Sequence, residues 1–149
     1  MDEHIIKSHN KTLLLYHIVF PAKYRKKIFT KEVENRLKKV CLEISYGYEI
    51  HFVEIGVDKD HVHFLVQSVP MLSITKIVTI IKSITAKDIL KIKEVKKLLW
   101  NGNLWTSGYY TNTVGQYANE EIIRKYVKNQ GKNYKQLYKD QLTLFEGLV

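Results

Sequence analysis

Two histidines separated by a single residue are the sharpest chemical feature of the sequence. His61 and His63 flank Val62 inside an apolar stretch that alternates in the manner of a β-strand. Since successive side chains of a strand point to opposite faces, both imidazoles project from one side and can bind a single cation. The spacing therefore predicts a metal site, and the alternative is a pair of half-exposed strand histidines. The remaining histidines offer no comparable spacing and are interpreted as packing or surface residues: His4, His9, His17 and His51.

A second pair of reactive side chains lies far downstream. Tyr126 and Gln130 are four residues apart in a segment with helical periodicity, so they share one helix face about 6 Å apart. Gln130 can offer a carbonyl oxygen to a metal, and the phenol of Tyr126 becomes a nucleophile once ionised. Because free tyrosine has a pKa of about 10, it needs a nearby cation, or a substrate polarised by one, to react at neutral pH. The alternative is a tyrosine that packs the helix onto a sheet beside a solvated glutamine.

The elements that must position these residues follow the order β-α-β-β-α-β, with a further helix at the end. Short apolar runs rich in β-branched residues predict strands over Leu13–Phe20, Tyr48–Val57, His61–Gln67 and Trp105–Val114. Helical spacing and N-capping residues predict a helix from Thr30 to about Ser45, a helix from Ser73 that runs or breaks and resumes through to Leu99, a helix from Asn119 to Gly131, and a short helix over Tyr134–Phe145.

This order predicts an α+β fold of the ferredoxin-like type, in which two helices cover one face of an antiparallel sheet and the C-terminal helix carries Tyr126. The strand over His61–Gln67 is then central. Its alternation sends Val62, Phe64 and Val66 towards the two helices and the histidines to the opposite face, where only the C-terminal helix is left to cover them.

Length and charge bound the function. The chain has 149 residues, which fits one domain over 1–149, and 24 lysines and arginines exceed 15 acidic residues, giving a formal charge of +9. A hydrophobic fraction of 45% is too high for a disordered chain. The sequence pI of about 9.5 favours a polyanionic partner, and nucleic acid is preferred over membrane because no basic amphipathic segment is evident.

Two basic clusters could contact phosphates. The first combines Lys23, Arg25, Lys26 and Lys27 with Tyr24, whose ring could stack on a base. The second contains Lys91, Lys93, Lys96 and Lys97.

The single cysteine and the apolar runs exclude other classes. Cys41 cannot form an internal disulfide, and its place in the apolar stripe of the first helix predicts a small core residue in a reduced, cytosolic protein. The longest apolar runs are well short of the 18 or more residues that a membrane span needs. No GxxxxGK phosphate-binding motif is present.

Four separated motifs make the sequence similar to one known family. They are Tyr16–Phe20 with Lys23–Arg25, Asp60–His63, Trp105–Tyr110 through Thr113–Gly115, and Tyr126–Gln130. In this order they resemble the single-tyrosine HUH transposases of small bacterial insertion sequences, the TnpA or insertion-sequence-200-like enzymes. The resemblance covers nearly the whole chain, and no catalytic position departs from the family pattern.

The resemblance implies a metal-assisted reaction on single-stranded DNA. His61, His63 and Gln130 would hold one Mg²⁺ or Mn²⁺ at the scissile phosphate, and Tyr126 would attack to leave a 5′-phosphotyrosine link and a free 3′-OH. It also implies recognition of DNA hairpins at the ends of the element, a homodimer, and a location in the cytoplasm of a bacterium or archaeon. Because the bond energy would be kept in the protein–DNA ester, it implies no nucleotide cofactor. Two other readings of the residues stay open: a module that binds single-stranded nucleic acid without cutting it, and a small metal-dependent hydrolase that activates water.

Overall fold

A computed structural model describes residues 4–115 and the backbone of residues 133–135. The strands are β1 (Ile5–Ile6), β2 (Lys11–Thr12), β3 (Leu14–Pro21), β4 (His51–Val57), β5 (His61–Ser68), β6 (Tyr110–Val114) and β7 (Asn133–Lys135). The helices are α1 (Lys31–Gly47), α2 (Ile74–Ile89) and α3 (Lys93–Leu98). No helix in the described part of the chain is long and apolar enough to cross a membrane.

One five-stranded antiparallel sheet organises the fold. Its strand order is β6-β3-β5-β4-β7, so β5, which begins at His61, is the central strand as predicted. In the register, His63 lies opposite Val19 on one side and Gly56 on the other. The α+β fold class predicted from the sequence is therefore confirmed.

The edge strand β7 contradicts one prediction. Residues 134 and 135 were expected to begin a helix over Tyr134–Phe145, but they lie in β7, which pairs with Ile55–Val57 of β4. The open edge of β4 offers unpaired backbone groups, and pairing with them satisfies more hydrogen bonds than a short isolated helical turn would. The rest of that predicted helix, and the predicted helix from Asn119 to Gly131, lie outside the described residues.

The two long helices begin where the sequence predicts. The hydroxyl of Thr30 accepts a hydrogen bond from the backbone N–H of Val33 (3.3 Å), and that of Ser73 accepts one from Lys76 (3.1 Å). The second helical segment breaks after Ile89 and resumes as α3.

The main core lies between these helices and one face of the sheet. Val62, Phe64 and Val66 are fully buried in it, as the alternation predicts. Cys41 is also buried there, which confirms its assignment to the core, and burial raises the pKa of its thiol. A smaller apolar cluster covers part of the other face and contains Ile5, Leu15, Val53, Leu65 and Val69.

The predicted strand over Trp105–Val114 is only half formed, because its first residues make other contacts. The ring of Trp105 packs against Phe20 and Phe29, with centroids 5.3 and 5.6 Å apart, and its indole N–H donates to the hydroxyl of Thr85 at 3.0 Å. The ammonium of Lys82 donates hydrogen bonds to the carbonyl oxygens of residues 106, 107 and 108. These carbonyls are thereby diverted from a β-ladder, and regular pairing with β3 begins only at Tyr110.

The bond between Trp105 and Thr85 gives a test of this packing. We expect Thr85→Val to lower the free energy of unfolding by about 1–3 kcal/mol, because the shape is kept while a buried indole N–H loses its acceptor. Thr79→Val is the matched control on the same helix, since the exposed Thr79 hydroxyl bonds only to the Thr75 carbonyl. Urea denaturation should show a change within about 0.5 kcal/mol for the control. Equal effects of the two variants would contradict the assigned role of Thr85.

Candidate functional site

The two predicted imidazoles lie side by side at the start of the central strand. The ring centroids of His61 and His63 are 4.9 Å apart, and the ring planes meet at 74°. His63 is buried, whereas 19% of the His61 side chain is exposed. Of the two neighbouring rings, His61 therefore reaches solvent and His63 is enclosed.

A carboxylate fixes the orientation of His61. Its Nδ1 lies 2.8 Å from Oδ1 of Asp60, and the other oxygen of that carboxylate accepts a hydrogen bond from Nε of Arg25 at 3.1 Å. The hydrogen bond from His61, helped by Arg25, holds the pKa of Asp60 below its ordinary value. An ionised carboxylate can only accept, so His61 Nδ1 carries a proton and Nε2 becomes the ring's available lone pair in the neutral imidazole.

A chain of hydrogen bonds across three strands fixes the orientation of His63. His63 Nδ1 lies 3.1 Å from His17 Nε2, and His17 Nδ1 lies 3.2 Å from Oδ1 of Asn112. The rings of His17 and His63 are nearly parallel, with 6° between their planes and 5.2 Å between their centroids. His17 and Asn112 are direct partners in the register of β3 and β6, so this chain depends on the pairing of both strands with their neighbours.

The protons in this chain follow from the amide of Asn112. Its Nδ2 donates to the Thr113 carbonyl at 3.1 Å, which leaves Oδ1 to face His17 as an acceptor. His17 Nδ1 must then donate, so His17 Nε2 accepts a hydrogen bond from the N–H at His63 Nδ1. In His63, as in His61, the nitrogen left with a lone pair is Nε2.

The free nitrogen of His63 is buried and has no hydrogen-bond partner among the described residues. Burial, followed by the nearby His17 and His61, lowers the pKa of His63 to about 4, so the ring is neutral at physiological pH. A buried acceptor without a donor is costly in a folded protein. It fits a group that will receive a cation, because metal-binding histidines use the neutral ring and donate their other N–H to a partner.

The structure does not describe the positions of the other predicted ligand and the predicted nucleophile. Tyr126 and Gln130 lie outside the described residues, so their positions relative to the histidines stay predictions. Within residues 4–115, no group of three or more His, Cys, Asp or Glu side chains is arranged to hold a metal ion.

His17 is a member of the candidate site that the sequence interpretation missed. It was grouped with packing or surface histidines, and although it is buried, its imidazole bonds directly to His63. The available signal was a histidine at mid-strand in the run of residues 13–20. Recognising this contact would have required the register between β3 and β5, since His17 and His63 are 46 positions apart in the chain.

The first basic cluster begins with a structured turn. Lys23–Arg25 forms a short 3₁₀ turn, in which Arg25 reaches Asp60 and the Lys23 ammonium lies 5.3 Å from the centre of the Tyr24 ring. Lys26 and Lys27 are exposed. In the second cluster all four lysines are exposed, and Lys93, Lys96 and Lys97 belong to α3.

Comparison with known protein families gives a match over most of the chain. Residues 10–130 match the family model described as "Transposase IS200 like". The chain is 30% identical over 118 residues to the ISDra2 transposase TnpA of Deinococcus radiodurans, covering 78% of this chain and 84% of that protein. It is 27% identical over 124 residues to the transposase for insertion sequence element IS200 of Salmonella typhimurium, covering 83% of this chain and 80% of that protein.

Solved structures give the same picture of the fold. A crystal structure of a candidate transposase from Deinococcus radiodurans R1 superposes with a TM-score of 0.68 at 27% identity, covering 85% of this chain and 98% of that one. A REP-associated tyrosine transposase bound to a REP hairpin superposes with a TM-score of 0.53 at 10% identity, covering 83% of this chain and 69% of that one. At that identity the second likeness concerns the fold alone.

The hydrogen-bond chain predicts the protonation pattern of His63. We expect ¹⁵N NMR of the imidazoles to show His63 with its proton on Nδ1, and His17→Phe to abolish this preference because the acceptor for that proton is gone. His51→Phe is the control, since His51 lies at the far end of β4. A proton on His63 Nε2 in the unaltered protein would contradict the chain.

Proposed function

The chain belongs to the IS200-like transposase family, and we propose that this DNA transposase cleaves and rejoins single-stranded DNA through a covalent 5′-phosphotyrosine intermediate. The observation that carries the proposal is the pair of adjacent imidazoles. Each has a hydrogen-bond partner at Nδ1, so the lone pair of each ring is on Nε2. Two such nitrogens at one end of a central strand are prepared to bind a single cation.

The residues present fit a divalent metal. Nε2 of His63, which is buried and without a hydrogen-bond partner among the described residues, and Nε2 of the neighbouring His61 ring would provide two ligands, and we assign the third to the side-chain oxygen of Gln130. Mg²⁺ or Mn²⁺ suits a set that mixes imidazole with a hard oxygen donor. When bound, the ion would supply Lewis-acid polarisation of the scissile phosphate.

Chain connectivity permits Gln130 to complete this set within one subunit. Asn133 in β7 pairs with Val57 of β4, which in turn pairs with Val62, next to both histidines. Two strand spacings put the backbone of residue 133 about 10 Å from that of Val62. The three residues from 130 to 133 can span about 10 Å, so the amide is within reach of the imidazoles.

The assigned nucleophile is the phenol oxygen of Tyr126. The phenol loses its proton to solvent and attacks, which forms the bond from oxygen to phosphorus and breaks the bond from phosphorus to the 3′ oxygen. The leaving 3′ oxygen takes up a proton from solvent and is released as a 3′-OH. The energy of the phosphodiester is retained in the protein–DNA ester, so another 3′-OH can reverse the step without a nucleotide cofactor.

The substrate and assembly follow the family resemblance. We assign DNA hairpins at the ends of the element as the recognised structures, and a hairpin is what one structural neighbour is bound to. The formal charge of +9 and the exposed Lys26 and Lys27 support a polyanionic partner. We further propose a homodimer that acts in the cytoplasm.

Removing the phenol oxygen tests the covalent step. We expect Tyr126→Phe to lower cleavage of a single-stranded hairpin oligonucleotide by at least about a thousandfold, because no nucleophile remains. A label at the 3′ end of the oligonucleotide reports the covalent adduct on a denaturing gel. Tyr46→Phe is the control, since Tyr46 is an exposed tyrosine on α1 and should keep full activity.

The same experiment separates the competing functions. A hydrolase that activates water would continue to cut after Tyr126→Phe. A module that only binds nucleic acid would show no cleavage by the unaltered protein. Either result would overturn the proposed covalent mechanism.

Removing one imidazole tests the metal site. We expect His61→Ala to lower the affinity for Mn²⁺ in calorimetry at least tenfold and to abolish cleavage, as chelation should in the unaltered protein. Its melting temperature without metal should change little, because His61 is partly exposed and bonds to a surface carboxylate. His9→Ala, at an exposed position, is the control. Cleavage that resists chelation would contradict the metal assignment, and a collapsed melting transition would show a structural histidine pair.

A further inference from the structure

Two exposed aromatic rings line one cavity at the surface of the protein. Trp100 is 86% exposed and Tyr24 is 65% exposed, although the sequence separates them by more than 70 residues. Both line an open cavity of about 410 Å³, together with Lys26, Leu98 and Asn101. We call these five residues the aromatic surface. Large aromatic side chains that stay in solvent next to one another are typical of binding surfaces.

Hydrogen bonds hold the two halves of the aromatic surface together. The amide of Asn101 donates to the hydroxyl of Tyr24 at 3.1 Å, and the backbone N–H of Lys23 donates to the Leu104 carbonyl at 2.8 Å. The segment after Trp100 turns back through Gly102, which has a φ of 85° and donates its N–H to the Leu99 carbonyl. These contacts therefore fix the two segments of the aromatic surface relative to each other.

The backbone at Tyr24 takes an unfavourable conformation to present its ring. Tyr24 has a φ of 59° and Arg25 a φ of 53°, so two consecutive residues with side chains lie in the left-handed region. This reversal exposes the Tyr24 ring while Arg25 reaches back to Asp60. Such strain persists where the surrounding contacts enforce it, and it concentrates at functional sites.

The charge around the aromatic surface is positive. Lys26 lines the cavity, and the Lys23 ammonium lies 5.3 Å from the centre of the Tyr24 ring. Lys96 and Lys97 are exposed at the end of α3, immediately before Leu98, and Glu94 is the one acidic residue of that helix. This excess of lysines favours a polyanion over an apolar protein segment or a second copy of this basic chain.

We propose that the aromatic surface binds unpaired nucleotides of the DNA strand next to the scissile phosphate. Bases stack on Trp100 and Tyr24, and lysines contact the phosphates, a combination that suits single strands because every base has a stacking face. The location supports this occupant, since Tyr24 adjoins Arg25, Arg25 bonds to Asp60, and Asp60 bonds to His61. The inference rests on the proposed function, because it takes the strand at the histidines to be the substrate.

Trp100 gives a direct readout, because the other tryptophan, Trp105, is buried. The probe is an oligothymidylate of about 15 nucleotides, compared with a duplex of the same length. We expect the single strand to quench the fluorescence of Trp100 and Trp100→Ala to weaken its binding about five- to a hundredfold, leaving duplex binding and melting temperature unchanged. Tyr24→Ala should weaken binding in the same way.

Two further variants sharpen the test. Tyr46→Ala removes an equally exposed tyrosine from α1 and should leave the affinity for the oligothymidylate unchanged. Lys26→Gln should reduce the slope of log affinity against log salt by about 0.7, the value for one phosphate contact on a single strand. Unchanged binding by both aromatic variants overturns the proposal, as does an equal loss for single strand and duplex. A change of oligomeric state in Trp100→Ala overturns it too, because the ring would then be covered by a second copy.

The outcomes distinguish this inference from the proposed function. Trp100→Ala could bind the oligothymidylate normally while the unaltered protein forms the Tyr126-dependent adduct. In that case the proposed role of the aromatic surface is wrong and the covalent mechanism stands. If Trp100 binds the oligothymidylate but no adduct forms on a hairpin substrate, the surface stands and the covalent mechanism is wrong.

Discussion

The hydrogen-bond chain from Asn112 through His17 to His63 is the constraint on which the site depends. It crosses three neighbouring strands and sets which nitrogen of His63 is bare. Because side chains alternate along a strand, a register slip of one residue would move His17 to the opposite face and break the chain. The pairing of the strands therefore determines which nitrogen of the buried His63 ring carries the proton.

Several packing features keep that register in place. The helices bury Phe64 and its neighbours on β5, so the face that carries the histidines cannot rotate towards the core. On the other strand, Lys82 holds the carbonyls of residues 106–108 just before β6, which carries Asn112. The buried ring of Trp105 holds the same segment against the core through its contact with Phe20. The half of the predicted strand that failed to form is thus the half that fixes β6.

Local patterns in the sequence were sufficient for much of this architecture. The His-Val-His spacing and the caps at Thr30 and Ser73 depend on residues a few positions apart, so the sequence could predict them. The contact between His17 and His63 depends on pairing across 46 positions, and β7 depends on a free edge of β4, so neither has a local signature. At Trp105, aromatic and β-branched residues favoured a strand, but the ring contributes more by burial in the core.

Asp60 joins two parts of the molecule that would otherwise be independent. One oxygen of its carboxylate bonds to the ring of His61 and the other to Arg25, whose backbone conformation presents Tyr24. Substitution of this single acid would therefore have two effects at once, because it disturbs a candidate metal ligand and the turn that presents the Tyr24 ring. In a mutational scan, such a residue would score as if it took part in the reaction although its role is to brace two neighbours. The turn between β4 and β5 should therefore tolerate fewer substitutions than other turns, even though it lies at the surface.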